Sequence, residues 1–115
     1  MAKLENQVLL LANEDYSGLW EVYGEAEDLF RELSQAELIE KAREVVLGLL
    51  DLSWIQLYLC EEPFTNDRVM PIEITDIKKF LTEGRFWHQP KKDSISIRFI
   101  ATPEGETAFT KRFLK

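Results

Sequence analysis

Apolar residues recur with a helical period through the first half of this chain and with a period of two in two later stretches. Leu4, Val8, Leu11 and Ala12 fall at i, i+4, i+7 and i+8, with Leu9 and Leu10 widening the face, so a short, mostly buried first helix is expected to run until Asn13-Glu14-Asp15. Asp15 or Ser17 is placed to cap a second helix. Its apolar stripes are Tyr16, Leu19, Trp20, Tyr23 and Phe30, and beside them Val22, Ala26, Leu29 and Leu33. Gly24 costs that helix about 1 kcal/mol against alanine, which points to a bend or a close helix contact there. Ser34-Gln35-Ala36-Glu37 has the form of a capping box, and Leu38, Ile39, Ala42, Val45, Val46 and Leu49 follow as the core face of a long third helix.

After Leu52-Ser53 the period becomes two. Ile55, Leu57 and Leu59 should be buried on one face of a strand, with Trp54, Gln56, Tyr58 and Cys60 half-buried on the other. Glu61-Glu62-Pro63 ends the ladder, because proline has no amide to donate, and Phe64 to Ile74 reads as irregular. Thr75 is placed to cap a helix from Asp76 to Glu83, with Ile77, Phe80 and Leu81 inward and Gly84 as its stop. Arg85 to Asp93 reads as an exposed loop carrying two aromatics. Ser94 to Ala101 alternates again, with Ile95, Ile97 and Phe99 on one face, and should pair antiparallel with the first strand. Thr102-Pro103-Glu104 opens a last helix anchored by Ala108, Phe109 and Phe113.

Composition narrows the class. At 115 residues, 45% hydrophobic and 30% charged, the chain fits a single folded domain covering residues 1–115. No run approaches the roughly 18 apolar residues of a membrane span, and no basic segment leads into an apolar one at the start, so a cytoplasmic protein without membrane contact is expected. Cys60 has no cysteine to pair with and reads as an apolar filler. The net charge of -7 is uneven: residues 1–63 hold four basic against fourteen acidic residues, and residues 64–115 hold ten basic against seven acidic. An acidic half repels phosphate backbones, which disfavours nucleic acid and favours a protein partner of complementary charge.

Three helices, a strand, a long connection, a second strand and a final helix resemble the winged helix-turn-helix order. Leu49-Leu50-Asp51-Leu52-Ser53-Trp54-Ile55 is similar to the passage from the third helix into the first wing strand. Arg98-Phe99-Ile100-Ala101-Thr102-Pro103-Glu104-Gly105 is similar to the strand-to-helix exit of many small bacterial transcriptional regulators. The resemblance implies an α+β fold with three N-terminal helices, a two-stranded antiparallel hairpin and a C-terminal helix. It also implies a third helix entering the major groove. This chain departs from that pattern: the exposed side of the third helix carries Glu37, Glu40, Glu44 and Asp51, leaving Gln35, Lys41 and Arg43 for base or phosphate contacts. The wing, from Glu61 to Asp93, is long enough to hold its own helix and concentrates Arg68, Lys78, Lys79, Arg85, Lys91 and Lys92.

No phosphate-cradling glycine loop, serine elbow, histidine pair or cysteine pair at metal spacing is present, so neither enzyme chemistry nor a cofactor or metal is implied. Glu25, Asp28 and Glu32 share a helix side but read as a solvated face, and His88 would serve Cys60 as a base only if the fold joined them. Arg85, Phe86, Trp87 and His88 are the candidate partner contacts, since tryptophan and arginine favour interfaces. The alternative for Phe86 and Trp87 is to fold back over the sheet face bearing Trp54 and Tyr58. Read as a whole, the chain is expected to be a non-catalytic interaction or regulatory module with a protein partner, and to form a homodimer through its last helix. The alternative is a DNA-binding regulator using Gln35, Lys41 and Arg43 with Lys78, Lys79, Lys91 and Lys92.

Overall fold

The structure, a computed structural model, describes residues 2–65, 67 and 69–113. Arg68 and Lys115, two of the basic residues counted in the sequence, lie outside them. Helices α1 (Ala2–Glu14), α2 (Leu19–Leu29) and α3 (Gln35–Asp51) precede most of the sheet, and α4 (Ile77–Leu81) and α5 (Pro103–Phe113) follow within and after it. The strands are β1 (Ser17–Gly18), β2 (Ile55–Glu61), β3 (Val69–Pro71) and β4 (Ile95–Ala101), all antiparallel in the order β1-β4-β2-β3. The fold is therefore α+β, but with four strands where the alternation of residues predicts two.

The capping box at Ser34 forms as expected: the Glu37 amide donates to Ser34 Oγ at 3.2 Å and the Ser34 amide donates to Glu37 Oε1 at 2.9 Å. Leu38, Ala42, Val45, Val46 and Leu49 of α3 are buried in the same core as Ile55, Leu57, Ile97 and Phe99 of the sheet. The exit from α3 is a Schellman turn in which Ser53 takes the left-handed position at φ 60°, its amide bonding Leu50 O and the Trp54 amide bonding Leu49 O. Thr102 crosses the same corner, its hydroxyl donating to Ser53 O and accepting from the Gly105 amide at 3.1 Å to cap α5.

Several sequence expectations are corrected. Ser17 does not cap α2. It pairs with Phe99 as β1, and Gly18 stands at the cap with its amide donating to Glu21 Oε2 at 2.7 Å. Gly24 makes no close contact, since a Cβ there would meet nothing within 4 Å. Val69–Pro71 is a strand on the far side of β2 rather than irregular chain; Pro71 sits on the sheet edge, where a missing amide breaks no ladder. Thr75 caps nothing: a 3₁₀ turn at Ile74–Asp76 leads straight into α4. On β2, Leu59 is half-buried and Cys60 is buried, the reverse of the expected assignment. Toward the wing the core face of the sheet runs past the helices, and Ile95 and Met70, cross-strand partners of Glu61 and Leu59, are exposed on it.

On the opposite face Arg98 is packed under aromatics, 4.3 Å from the Phe64 ring centroid and 4.9 Å from that of Trp20. Its guanidinium donates to Glu62 Oε1 at 3.0 Å, and Ser96 Oγ donates to the other Glu62 oxygen at 2.9 Å. That network ties the start of the long connection to β4. Among the described residues no helix is long and apolar enough to cross a membrane.

Candidate functional site

The residues singled out for partner contact divide between core and surface. Gly84–Trp87 forms a 3₁₀ turn after α4, and it turns Phe86 and Trp87 inward, where they are buried. This corrects the exposed loop expected here. Nor do they cover the face bearing Trp54 and Tyr58, because they join the main core beneath α2. Trp87 Nε1 satisfies its buried N–H by donating to Leu81 O at 3.0 Å, and Phe86 packs edge-on against Phe80 at 5.9 Å. The physical reason is burial: taking two large rings out of water stabilises the folded chain more than leaving them exposed on a loop.

Arg85 and His88 stay at the surface on this rigid base. The Arg85 guanidinium lies over the Phe86 ring at 4.5 Å, and its carboxylate partner, Glu83, is 3.6 Å away. His88 Nε2 is 3.3 Å from Gln35 Nε2 and its ring stands edge-on to Tyr23 at 5.1 Å, so the turn is pinned to both α2 and α3. Arg85, His88, Pro90, Lys91 and Ile95 line a hollow of about 350 Å³. A second hollow of about 340 Å³, lined by Leu59, Glu61, Met70 and again Ile95, adjoins it. Together they form a trough along the uncovered end of the sheet.

The candidates for nucleic acid each have their own local surroundings. Gln35 is engaged with His88, Arg43 forms an ion pair with Glu40, and Lys41 lies 5.9 Å from the Phe30 ring centroid. Lys78 borders a separate groove with Asp51 and Ile74, while Lys91 and Lys92 border a hollow with Glu62 and Pro90. Lys79 is exposed on α4. Cys60 and His88 are not brought together as nucleophile and base: Cys60 Sγ sits 3.8 Å from Tyr58 O, and burial pushes its thiol up to about 11. A thiol so poised is protonated near neutrality and a poor nucleophile. Among the described residues no group of three His, Cys, Asp or Glu side chains is arranged to hold a metal ion.

Sequence reasoning missed Ile95 and Met70 as surface groups. Ile95 has the alternation of a core-facing residue, and its exposure follows from its place in the pair opposite Glu61, beyond the end of the helical layer. The signal available was its position one intervening residue beyond Lys91-Lys92-Asp93, at the very start of the strand. No family model, curated protein or solved structure matches this chain.

Proposed function

We propose that this chain is a winged-helix-like module that acts by binding another protein and performs no chemistry of its own. The succession of three helices, strand, long connection, strand and terminal helix supports the winged-helix reading, with β1 and β3 as additions flanking the β2–β4 hairpin. What carries the interaction reading is the trough at the sheet end: apolar groups stand exposed where a core face leaves its cover, next to Arg85 over the buried Phe86 ring and His88 against Tyr23. A patch of that kind on a folded protein marks a binding surface.

The test is capture from nuclease-treated native lysate with the full chain and with Ile95→Asp, followed by mass spectrometry. A protein retained by the first and lost from the second is expected. Recovery of the same proteins by both would remove the trough from the interaction. Duplex DNA is the competing ligand, and the Glu40–Arg43 pair and the fourteen acidic residues before Phe64 weigh against it. Were DNA the target, affinity would fall steeply with salt, with a slope near -0.9 for each neutralised phosphate. Replacing Lys78, Lys79, Lys91 and Lys92 by alanine would then weaken all sequences alike, and replacing Lys41 or Arg43 would alter selectivity. No sequence-specific retention at physiological salt is expected.

A further inference from the structure

Resting on the protein-partner reading, we infer that the trough takes an acidic segment with an apolar anchor: the anchor seats on Ile95 and Met70, and the carboxylates meet Arg85 and Lys91. Ile95 is 52% and Met70 63% exposed, and both belong to the sheet face that carries Ile55, Leu57, Ile97 and Phe99 in the core, with half-buried Leu59 and exposed Glu61 between. The trough is thus a continuation of the core that lacks its last layer. Its two ends differ in charge. Among the described residues, those lining the hollow on the wing side of Ile95 include Arg85 and Lys91 and no carboxylate, the exposed Glu83 partner of Arg85 standing outside it, whereas those lining the hollow on the β3 side include Glu61 and Asp67.

That polarity selects both the sign and the direction of the occupant. A carboxylate at the Arg85 end gains a charge-assisted, fork-shaped contact with a guanidinium already oriented by the Phe86 ring, in place of the loose, solvent-exposed pair with Glu83 at 3.6 Å. The same carboxylate at the other end faces Glu61 and is repelled. The protein's net charge of -7 does not reverse this preference, because at physiological ionic strength charges beyond about 8 Å are largely screened. The larger groove at Ile74 gives no comparable selection, since Asp51, Glu73 and Lys78 put both signs on its rim.

The experiment selects phage-displayed random 12-residue peptides on the full chain and measures fluorescein-labelled winners by polarisation. Peptides with Asp or Glu on one side of a large apolar residue should dominate. Their affinity should fall at least tenfold on Arg85→Glu with Lys91→Glu, fall likewise on Ile95→Asp, weaken with added salt, and stay unchanged on Lys78→Glu. Circular dichroism melting checks the fold of each variant; should Ile95→Asp unfold, the Arg85 and Lys91 changes, both at exposed positions, decide the matter. Selection of Lys- and Arg-rich peptides that lose binding on Glu25→Lys with Asp28→Lys overturns this inference and leaves the protein-partner reading standing. Acidic peptides insensitive to Arg85, Lys91 and Ile95 overturn it as well, and a chain that selects no peptide but retains duplex DNA overturns both.

Discussion

Ser53 holds a left-handed backbone at the end of α3, a conformation that costs a residue with a Cβ roughly 1 kcal/mol. Ser53→Gly should therefore stabilise the fold by about 0.5–1 kcal/mol, seen as a higher urea midpoint at unchanged slope. Glycines divide by their surroundings. Gly24 and Gly48 lie within helices where a Cβ meets nothing within 4 Å, so alanine at either should add about 1 kcal/mol. Gly105 is the opposite case: a Cβ there would stand 2.0 Å from Trp54 O, and Gly105→Ala must push α5 off the corner it packs on. Cys60 adds a pH dependence. Burial raises its thiol from 9.0 to about 11, so the folded state keeps a proton that the unfolded chain releases earlier. Stability from this site is whole below pH 9 and is lost as pH rises through 11; Cys60→Ala should flatten that part of the profile.

At the scale of elements, Leu49 of α3 and Leu57 of β2 are both fully buried in one core. Leu49→Ala or Leu57→Ala should cost on the order of 2–5 kcal/mol in denaturant unfolding. Values under about 0.5 kcal/mol at both would show that the two do not share a core. Ser34→Ala should cost about 1 kcal/mol. The amide and then the hydroxyl of Ser34 hold the Glu37 carboxyl below its usual value, so the box is complete above the carboxylate range and weakens as pH falls through it. These elements were legible because their signals are local: a capping box, a periodic face, a strand with strict alternation. β1 was not, since Ser17 and Gly18 carry no periodicity and become a strand only by pairing with Phe99 and Arg98. β3 was hidden by Pro71, whose cost vanishes on an edge strand. For the site, the sequence showed which residues cluster in the chain but not which way Arg85-Phe86-Trp87-His88 would turn, because a 3₁₀ turn sends adjacent side chains in different directions.

For the whole molecule, α5 is the least embedded of the long helices: Gly105 is its one buried residue among those described, and Phe113 is 42% exposed with its ring 4.9 Å from that of Phe109. The expected anchoring of this helix in the core by Phe109 and Phe113 is not what holds it. Gly105, packed against Trp54, and Arg112, donating to Glu5 at 3.0 Å and Asn6 at 2.8 Å and lying over Trp54 at 5.0 Å, tie it down instead. An apolar pair left at the surface suits pairing with a second copy, and cyclic dimers are the commonest closed assemblies. Sedimentation at high concentration should show a dimer that Phe113→Glu dissociates; a 13.5 kDa species alone would rule it out.

The order β1-β4-β2-β3 also sets a timetable. Both β1 and β2 bond to β4, and the pairing of Ser17 with Phe99 closes most of the chain's length in one contact. While the protein is being synthesised, then, helices α1 to α4 and the β2–β3 pair can form early, but the sheet stays split until residues 95–101 have left the ribosome. Throughout that interval the apolar edge of β2 waits for its neighbour. Contacts this distant in sequence make for slow folding and a prolonged opening for mispairing. A nascent chain stalled before Ile95 would present Leu57 and its neighbours to whatever chaperone or other chain arrived first.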